Sequence, residues 1–316
     1  MKKYSLLYSM DFFRRSFKRN SAKNTRKKFQ KLQCHPKNFT SKNNNSNHKN
    51  SCLDDKTLRL MKQLWNRRYP DNMIRTSKPR TLWKHFQQSM AKSCSNEMCW
   101  VDSTVGDDKM KSKLKKQLFA PTTPSSWKQN INEWLSSNDI IGVMKQYEDT
   151  YDNFKFFGPS PIDFETMEYK NHCVWPEICN LNVKSLKEDN KTNLGFIFNT
   201  DKHYQSGSHW IALFVDLNRG TSFFFDSNGT KEPKEISQLI KKIHSQCKNC
   251  KLKMKADSNY PKVHQHSNTE CGMYCLYFIV SLLKKTHNFQ YFKEKRIPDK
   301  YVEKFRNIYF NHIWKS

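Results

Sequence analysis

The sequence predicts an α+β domain preceded by a basic helical arm, and three observations carry that prediction. Apolar runs of strand length occur at Leu194 to Phe198, Trp210 to Leu217 and Ser222 to Asp226, the last two joined by the turn Asn218-Arg219-Gly220. Cys271 to Leu283 is largely apolar at helical length, so it belongs at the centre of a core. Basic residues crowd the N-terminal part of the chain. A few helices around a short antiparallel sheet make an α+β domain.

Taken in order, residues 1–50 hold 14 Lys/Arg against one acid, Asp11, within a chain whose net charge is +27. Lys, Asn and Ser dominate there, with Ser41-Lys42-Asn43-Asn44-Asn45-Ser46-Asn47 at the centre. Such a stretch buries too little apolar surface to offset its ordering entropy, so it reads as a disordered basic tail, with Tyr4 to Phe17 able to form a short basic helix on a partner. Residues 51–118 read as a helical basic arm. Leu58, Leu60, Met61, Leu64 and Trp65 form one stripe, and Lys111 to Phe119 is a second helical piece. Ala120-Pro121-Thr122-Thr123-Pro124-Ser125 interrupts any regular element with two prolines and sets the boundary of a domain over 119–316. Ser136 or Ser137 is positioned to cap a helix from Asp139 to Tyr147 with Ile140, Val143, Met144 and Tyr147 inward. Ile236 to Ile243 is helical by spacing.

No run of about 18 apolar residues occurs, so no membrane span is expected. The large positive charge favours polyanions, and nucleic acid bound through the N-terminal region is the partner it suggests. There are ten cysteines and no recognisable secretory leader, which predicts reduced thiols. Cys247 and Cys250, with Cys94 and Cys99, have zinc-like spacing but lie on opposite sides of the predicted boundary, so no metal is assigned. With eight glycines and no phosphate-cradling loop, the sequence argues against a nucleotide fold.

Cys271 opens the apolar helix, where the positive end of the macrodipole and a nearby imidazolium favour thiolate. His209 precedes the strand Trp210 to Leu217, and Asp226 closes the next one. A four-residue loop over 218–221 pairs 213 with 226, and a tighter turn shifts this towards 211. Either puts Asp226 on the strand face that carries His209. A base oriented by an acid and facing a thiol is what nucleophilic catalysis by cysteine needs. Gln265, with the Cys271 backbone N–H, is a candidate oxyanion donor. Cys275 lies one turn on and reads as core. His264, His266 and His203 lack the strand and acid partner of His209.

His209-Trp210 at a strand start, Asp226 at the end of the next strand and Gln265-(x)5-Cys271-Gly272 together resemble the SUMO/ubiquitin-like-protein proteases and the adenovirus protease. Within that clan the chain is most similar to viral polyprotein proteases of the African swine fever virus type. Gln265 to Gly272 and Gly207 to Asp216 are the closest local matches, and the likeness covers roughly 119–316. The resemblance implies a papain-like or adenain-like core with a short antiparallel sheet and a central helix. It also implies roles: Cys271 nucleophile, His209 base, Asp226 orienting acid and Gln265 oxyanion donor, with no cofactor. Some viral members carry Asn at the acid position, so Asp226 is nearer the SUMO-protease pattern. Family members hold Gly-Gly in a slot between two tryptophans. Trp210 matches one, and Trp134 matches the other with two extra residues in its motif. Only glycine lacks the Cβ that such a slot excludes. The implied function is cleavage after Gly-Gly-Xaa in viral structural polyproteins, in virion and host cytoplasm. The alternatives are a SUMO or related modifier protease, and a non-catalytic basic nucleic-acid-binding protein.

Overall fold

The computed structural model describes residues 28–40, 51–168 and 172–313. Most of the expected tail, including Tyr4 to Phe17, lies outside the described residues.

Helices of eight residues or more are labelled α1–α7. The first four are α1 (Asp55–Arg68), α2 (Pro79–Ser89), α3 (Glu97–Thr104) and α4 (Asp108–Leu118). Asp54, Asn96 and Asp107 cap α1, α3 and α4 by accepting first-turn backbone N–H bonds. Basic residues occupy the last turns of α1 and α4, where they complement the dipole. Their inner faces build one cluster around Leu58, Met61, Phe86, Trp100 and Phe119. Phe29, Leu32 and Cys34 join it, so this part of the stretch assigned by composition to the tail packs on the helical arm. Composition averages over the tail and misses one short apolar segment with a surface to bury against.

α5 (Ser137–Thr150) is capped by Ser136, one of the two expected candidates, and starts two residues before the expected Asp139, which instead forms a reciprocal capping box with Ser136; Ile140, Val143, Met144 and Tyr147 are buried as expected. The sheet has order β1-β2-β3-β4-β5, with β1 (Phe154–Pro161), β2 (Asn193–Asn199), β3 (Trp210–Asp216), β4 (Thr221–Phe225) and β5 (Lys255–Ser258). β2, β3 and β4 are the expected antiparallel centre, but β1 and β5 add parallel edges. Neither edge strand has the signature of a half-buried strand. β1 carries Gly158-Pro159, and β5 is short and largely exposed, which suits an edge. The β3–β4 register runs from Asp216↔Thr221 to Ala212↔Phe225, the tighter of the two registers considered.

α6 (Lys234–Asn249) covers one face of the sheet, packing Ile236, Leu239 and Ile243 with Phe198, Leu213 and Phe224. α7 (Cys271–Leu283) covers the other, packing Tyr274, Phe278 and Ile279 with Phe214, Phe223 and Phe225. Strands covered on both faces read as continuous apolar runs rather than alternating ones. α7 is buried almost all round, as its composition predicts.

The thiols differ from expectation. Cys34–Cys52, Cys94–Cys99 and Cys173–Cys179 are disulfides with Cα separations of 5.1, 5.5 and 6.5 Å. Those spans fall within the disulfide range of about 4.4–6.8 Å. Pairing follows from which thiols the fold brings together, which leader-peptide reasoning does not see. Cys94 and Cys99 are thereby excluded as metal ligands. Cys247, Cys250, Cys271 and Cys275 are free. Among the described residues, no helix is long and apolar enough to cross a membrane.

Candidate active site

The start of β3, the end of β4 and the N-terminus of α7 converge at one end of the sheet's central strands. His209, just before β3, donates from Nε2 to Asp226 Oδ1 at 2.6 Å. That leaves Nδ1 as the ring nitrogen able to face Cys271, a neighbour that helps raise the imidazole's pKa. Cys271 is the first residue of α7 and 2% exposed. Its backbone N–H is one of the first-turn donors that a helix leaves without an internal partner.

Burial favours the neutral ring of His209, but hydrogen bonds and charge from Asp226 and Cys271 outweigh it and raise its pKa to about 9. Burial likewise opposes ionisation of Asp226. The His209 bond and charge, with the Asn228 and Thr230 contacts, overcome this and hold the carboxyl below its ordinary value. The imidazole is therefore cationic at neutral pH, between a carboxylate and a thiol.

The acid is held from several sides. Asn228 N donates to Asp226 Oδ1 at 2.9 Å and Thr230 N to Oδ2 at 3.2 Å. Asn259, fully buried, accepts from Asp226 N at 2.9 Å and donates to Asp226 O at 2.7 Å. Ser227 carries the anchoring on to Gln265. Its Oγ donates to Gln265 Oε1 at 2.8 Å, and its carbonyl accepts from His264 N and Gln265 N. Gln265 Nε2 donates to Ser267 O at 2.7 Å, which engages one of its two hydrogens. The sequence marks Asp226-Ser227-Asn228-Gly229 as a turn and does not single out Ser227 or Asn259. The turn signal masks one, and the other lies 33 residues from Asp226 with no motif around it.

Trp134 and Trp210 line a single groove of about 700 Å³, together with Trp175, Pro159, Asn199 and His203. Trp134 is 41% exposed, whereas Trp210 is buried and donates from Nε1 to Leu135 O at 3.0 Å. This bond ties the Trp134 segment to β3. Gly272 lets that segment approach α7, because a Cβ there would stand 3.0 Å from Leu135 Cβ.

The other candidates separate by environment. His264 is buried beside Phe225 and Tyr274, and burial chiefly lowers its pKa to about 4, keeping it neutral. Cys275 is buried in the core, which pushes its thiol well above the ordinary value. His203 bonds Asp163 at 2.8 Å and Glu168 at 3.2 Å on the groove wall.

Comparison with known proteins bears on family and fold. The Ulp1 protease family, C-terminal catalytic domain, matches residues 177–314. A protein named as a thiol protease, from Acanthamoeba polyphaga mimivirus, is 31% identical over 235 residues, covering 73% of this chain and 74% of that protein. A protein named SUMO-1 cysteine protease, from African swine fever virus, is 28% identical over 192 residues, 58% of this chain and 69% of its own. The crystal structure of the African swine fever virus protease has the same fold, with a TM-score of 0.60 at 21% identity over 90% of this chain and 97% of that one. The chain belongs to the Ulp1 family of cysteine proteases.

Proposed function

We propose that the protein is a cysteine endopeptidase that cleaves after Gly-Gly-Xaa in viral structural polyproteins during virion maturation. His209 bonded to Asp226 at 2.6 Å and facing Cys271 at the start of α7 is the observation that carries the chemistry. That Trp134 and Trp210 line one groove supports the glycine preference, since only glycine lacks the Cβ that tryptophan walls would exclude.

In this reading Cys271 attacks the scissile carbonyl as thiolate, paired with protonated His209. The oxyanion takes hydrogen bonds from the Cys271 backbone N–H and the second Nε2 hydrogen of Gln265. His209 protonates the leaving amine, and water activated by the neutral imidazole then hydrolyses the thioester. Asp226 keeps the ring oriented throughout.

The basic N-terminal region and arm would tether the enzyme to nucleic acid. On α4, Lys109, Lys113 and Lys116 line one shallow exposed groove, a row suited to phosphates. Virion and host cytoplasm would be its sites of action. If deleting residues 1–27 and neutralising the three lysines leaves DNA affinity and its salt dependence unchanged, the tether is refuted.

A second reading, removal of a folded SUMO-like modifier, is favoured by the name that the African swine fever virus relative carries. One experiment separates the two. Gly-Gly-Xaa peptides and a SUMO-derived substrate are assayed side by side with wild type and Cys271→Ala. Peptide cleavage that vanishes in the variant supports the polyprotein reading. Cleavage confined to the folded modifier supports the second.

A further inference from the structure

A buried ion pair joins the C-terminal segment to both sides of the site. Arg306, 1% exposed, opens the short helix Arg306–Tyr309. Its Nε and Nη2 donate to Glu270 Oε2 and Oε1, each at 3.0 Å. Nη2 also donates to the backbone carbonyl of Glu133 at 2.8 Å, and the guanidinium lies 4.5 Å from the Trp127 ring centroid. Glu270 immediately precedes Cys271, and Glu133 immediately precedes Trp134.

A buried ion pair is weak evidence for stability, because desolvation offsets most of the attraction and well-packed apolar replacements are often neutral or better. Its geometry asks for a different account. The segment 133–135 is held at two carbonyls, Glu133 O by Arg306 and Leu135 O by Trp210 Nε1. Trp134 stands between these two fixed points. The same C-terminal segment holds the other end of the loop before Cys271, since Asp299 accepts from the backbone N–H groups of His266 and Ser267. A guanidinium serves this purpose because its planar fork bonds a carboxylate with two parallel N–H groups and keeps a hydrogen for the carbonyl.

We propose that Arg306 is a positioning residue: by bonding Glu270 and the Glu133 carbonyl together, it sets the Trp134 wall of the groove at its working distance from the Cys271 thiol. This rests on the reading of Cys271 as nucleophile and Trp134 as slot wall. A displacement of about 1 Å in such a constellation can cost about 100-fold in rate. Arg306 touches neither thiol nor imidazole, so the reactivity of Cys271 towards a small reagent does not depend on it.

The test uses the full chain with two variants, Arg306→Lys and the double variant Arg306→Met/Glu270→Leu. The lysine keeps a charge against Glu270 without the fork. The double variant removes the pair without leaving an unpaired buried charge. Melting temperature, iodoacetamide alkylation of Cys271 by mass spectrometry, and kcat and KM on a Gly-Gly-Xaa peptide are measured for each. The expected result is alkylation within about threefold of wild type and a kcat/KM lower by about 10- to 100-fold. These rates are compared in whichever variant melts within about 5 °C of wild type. There, an unchanged kcat/KM, or alkylation that falls in step with cleavage, overturns the proposal. If neither variant melts in that range, the pair holds the fold as a whole and the proposal fails. Wild type and Cys271→Ala run alongside. Wild-type cleavage that is lost in Cys271→Ala, with Arg306 variants unchanged, refutes positioning alone. Cleavage that persists in Cys271→Ala refutes the catalytic reading and positioning together.

Discussion

Asp226→Asn isolates the contribution of the acid. Asn259 bonds both the N–H and the carbonyl of residue 226, so the backbone stays in place and only one oxygen becomes an NH2. With nitrogen at the Oδ2 position, it confronts Thr230 N–H. At the Oδ1 position it confronts Asn228 N–H and the Nε2–H of His209. Either way a donor meets a donor and the carboxylate charge is gone. The His209 pKa, raised from 6.5 to about 9, corresponds to roughly 3 kcal/mol of preference for the charged ring. Among the groups that raise it, Asp226 comes first. Losing a hydrogen bond between charged groups costs about 1.5–3 kcal/mol, which is about 10- to 100-fold in kcat/KM at pH 7. The assay is kcat/KM against pH from about 5 to about 10.5. Wild type should lose activity as the imidazolium deprotonates near 9, and the variant should lose it at least one pH unit lower. An upper limb that stays at the wild-type position refutes the assignment of Asp226 as the partner that keeps His209 charged.

The same pair predicts a pH window for stability. His209, raised, contributes fully below pH 6.5 and loses that contribution as pH rises through about 9. Asp226, lowered, contributes above its ordinary value of 3.8 and loses it as pH falls through the depressed one. Denaturant midpoints should therefore fall on the alkaline side in wild type and fall less in Asp226→Asn. Gly272→Ala sets a Cβ 3.0 Å from Leu135 Cβ and 3.2 Å from its Cγ. It should destabilise by about 1–3 kcal/mol in urea melts and raise KM, since the Trp134 segment must retreat. Ser227→Ala removes the donor to Gln265 Oε1 and should lower kcat towards the level of Gln265→Ala, with the double variant no worse than Gln265→Ala. Additive losses would show that Ser227 acts elsewhere. Reducing Cys34–Cys52, a closed loop with sequence separation 18, should destabilise the helical arm by about 3 kcal/mol on the loop-entropy model, read as an earlier melting transition.

The elements that are apolar on their own account are legible in the sequence, as are the candidate site residues. β2, β3, β4 and α7 are buried on nearly every side, so their composition alone marks them. The helix cap at Ser136 or Ser137 is a local signal, and so it was legible as well, although the part Asp139 plays in it was not. His209, Asp226 and Cys271 stood out by residue type at the ends of such elements and Gln265 by its spacing from Cys271, and the fold brings them to one end of the sheet's central strands. The rest is non-local. The edge strands β1 and β5 owe their state to neighbours rather than to their own pattern. The packing of Phe29, Leu32 and Cys34 on the arm, and three disulfides, depend on which surfaces meet. The supports of the site join residues far apart in the chain: Asn259 to Asp226, Ser227 to Gln265, and Arg306 to Glu270 and Glu133. A polar side chain in a loop carries no periodic signal, so its role exists only once folding has placed a partner within about 3 Å.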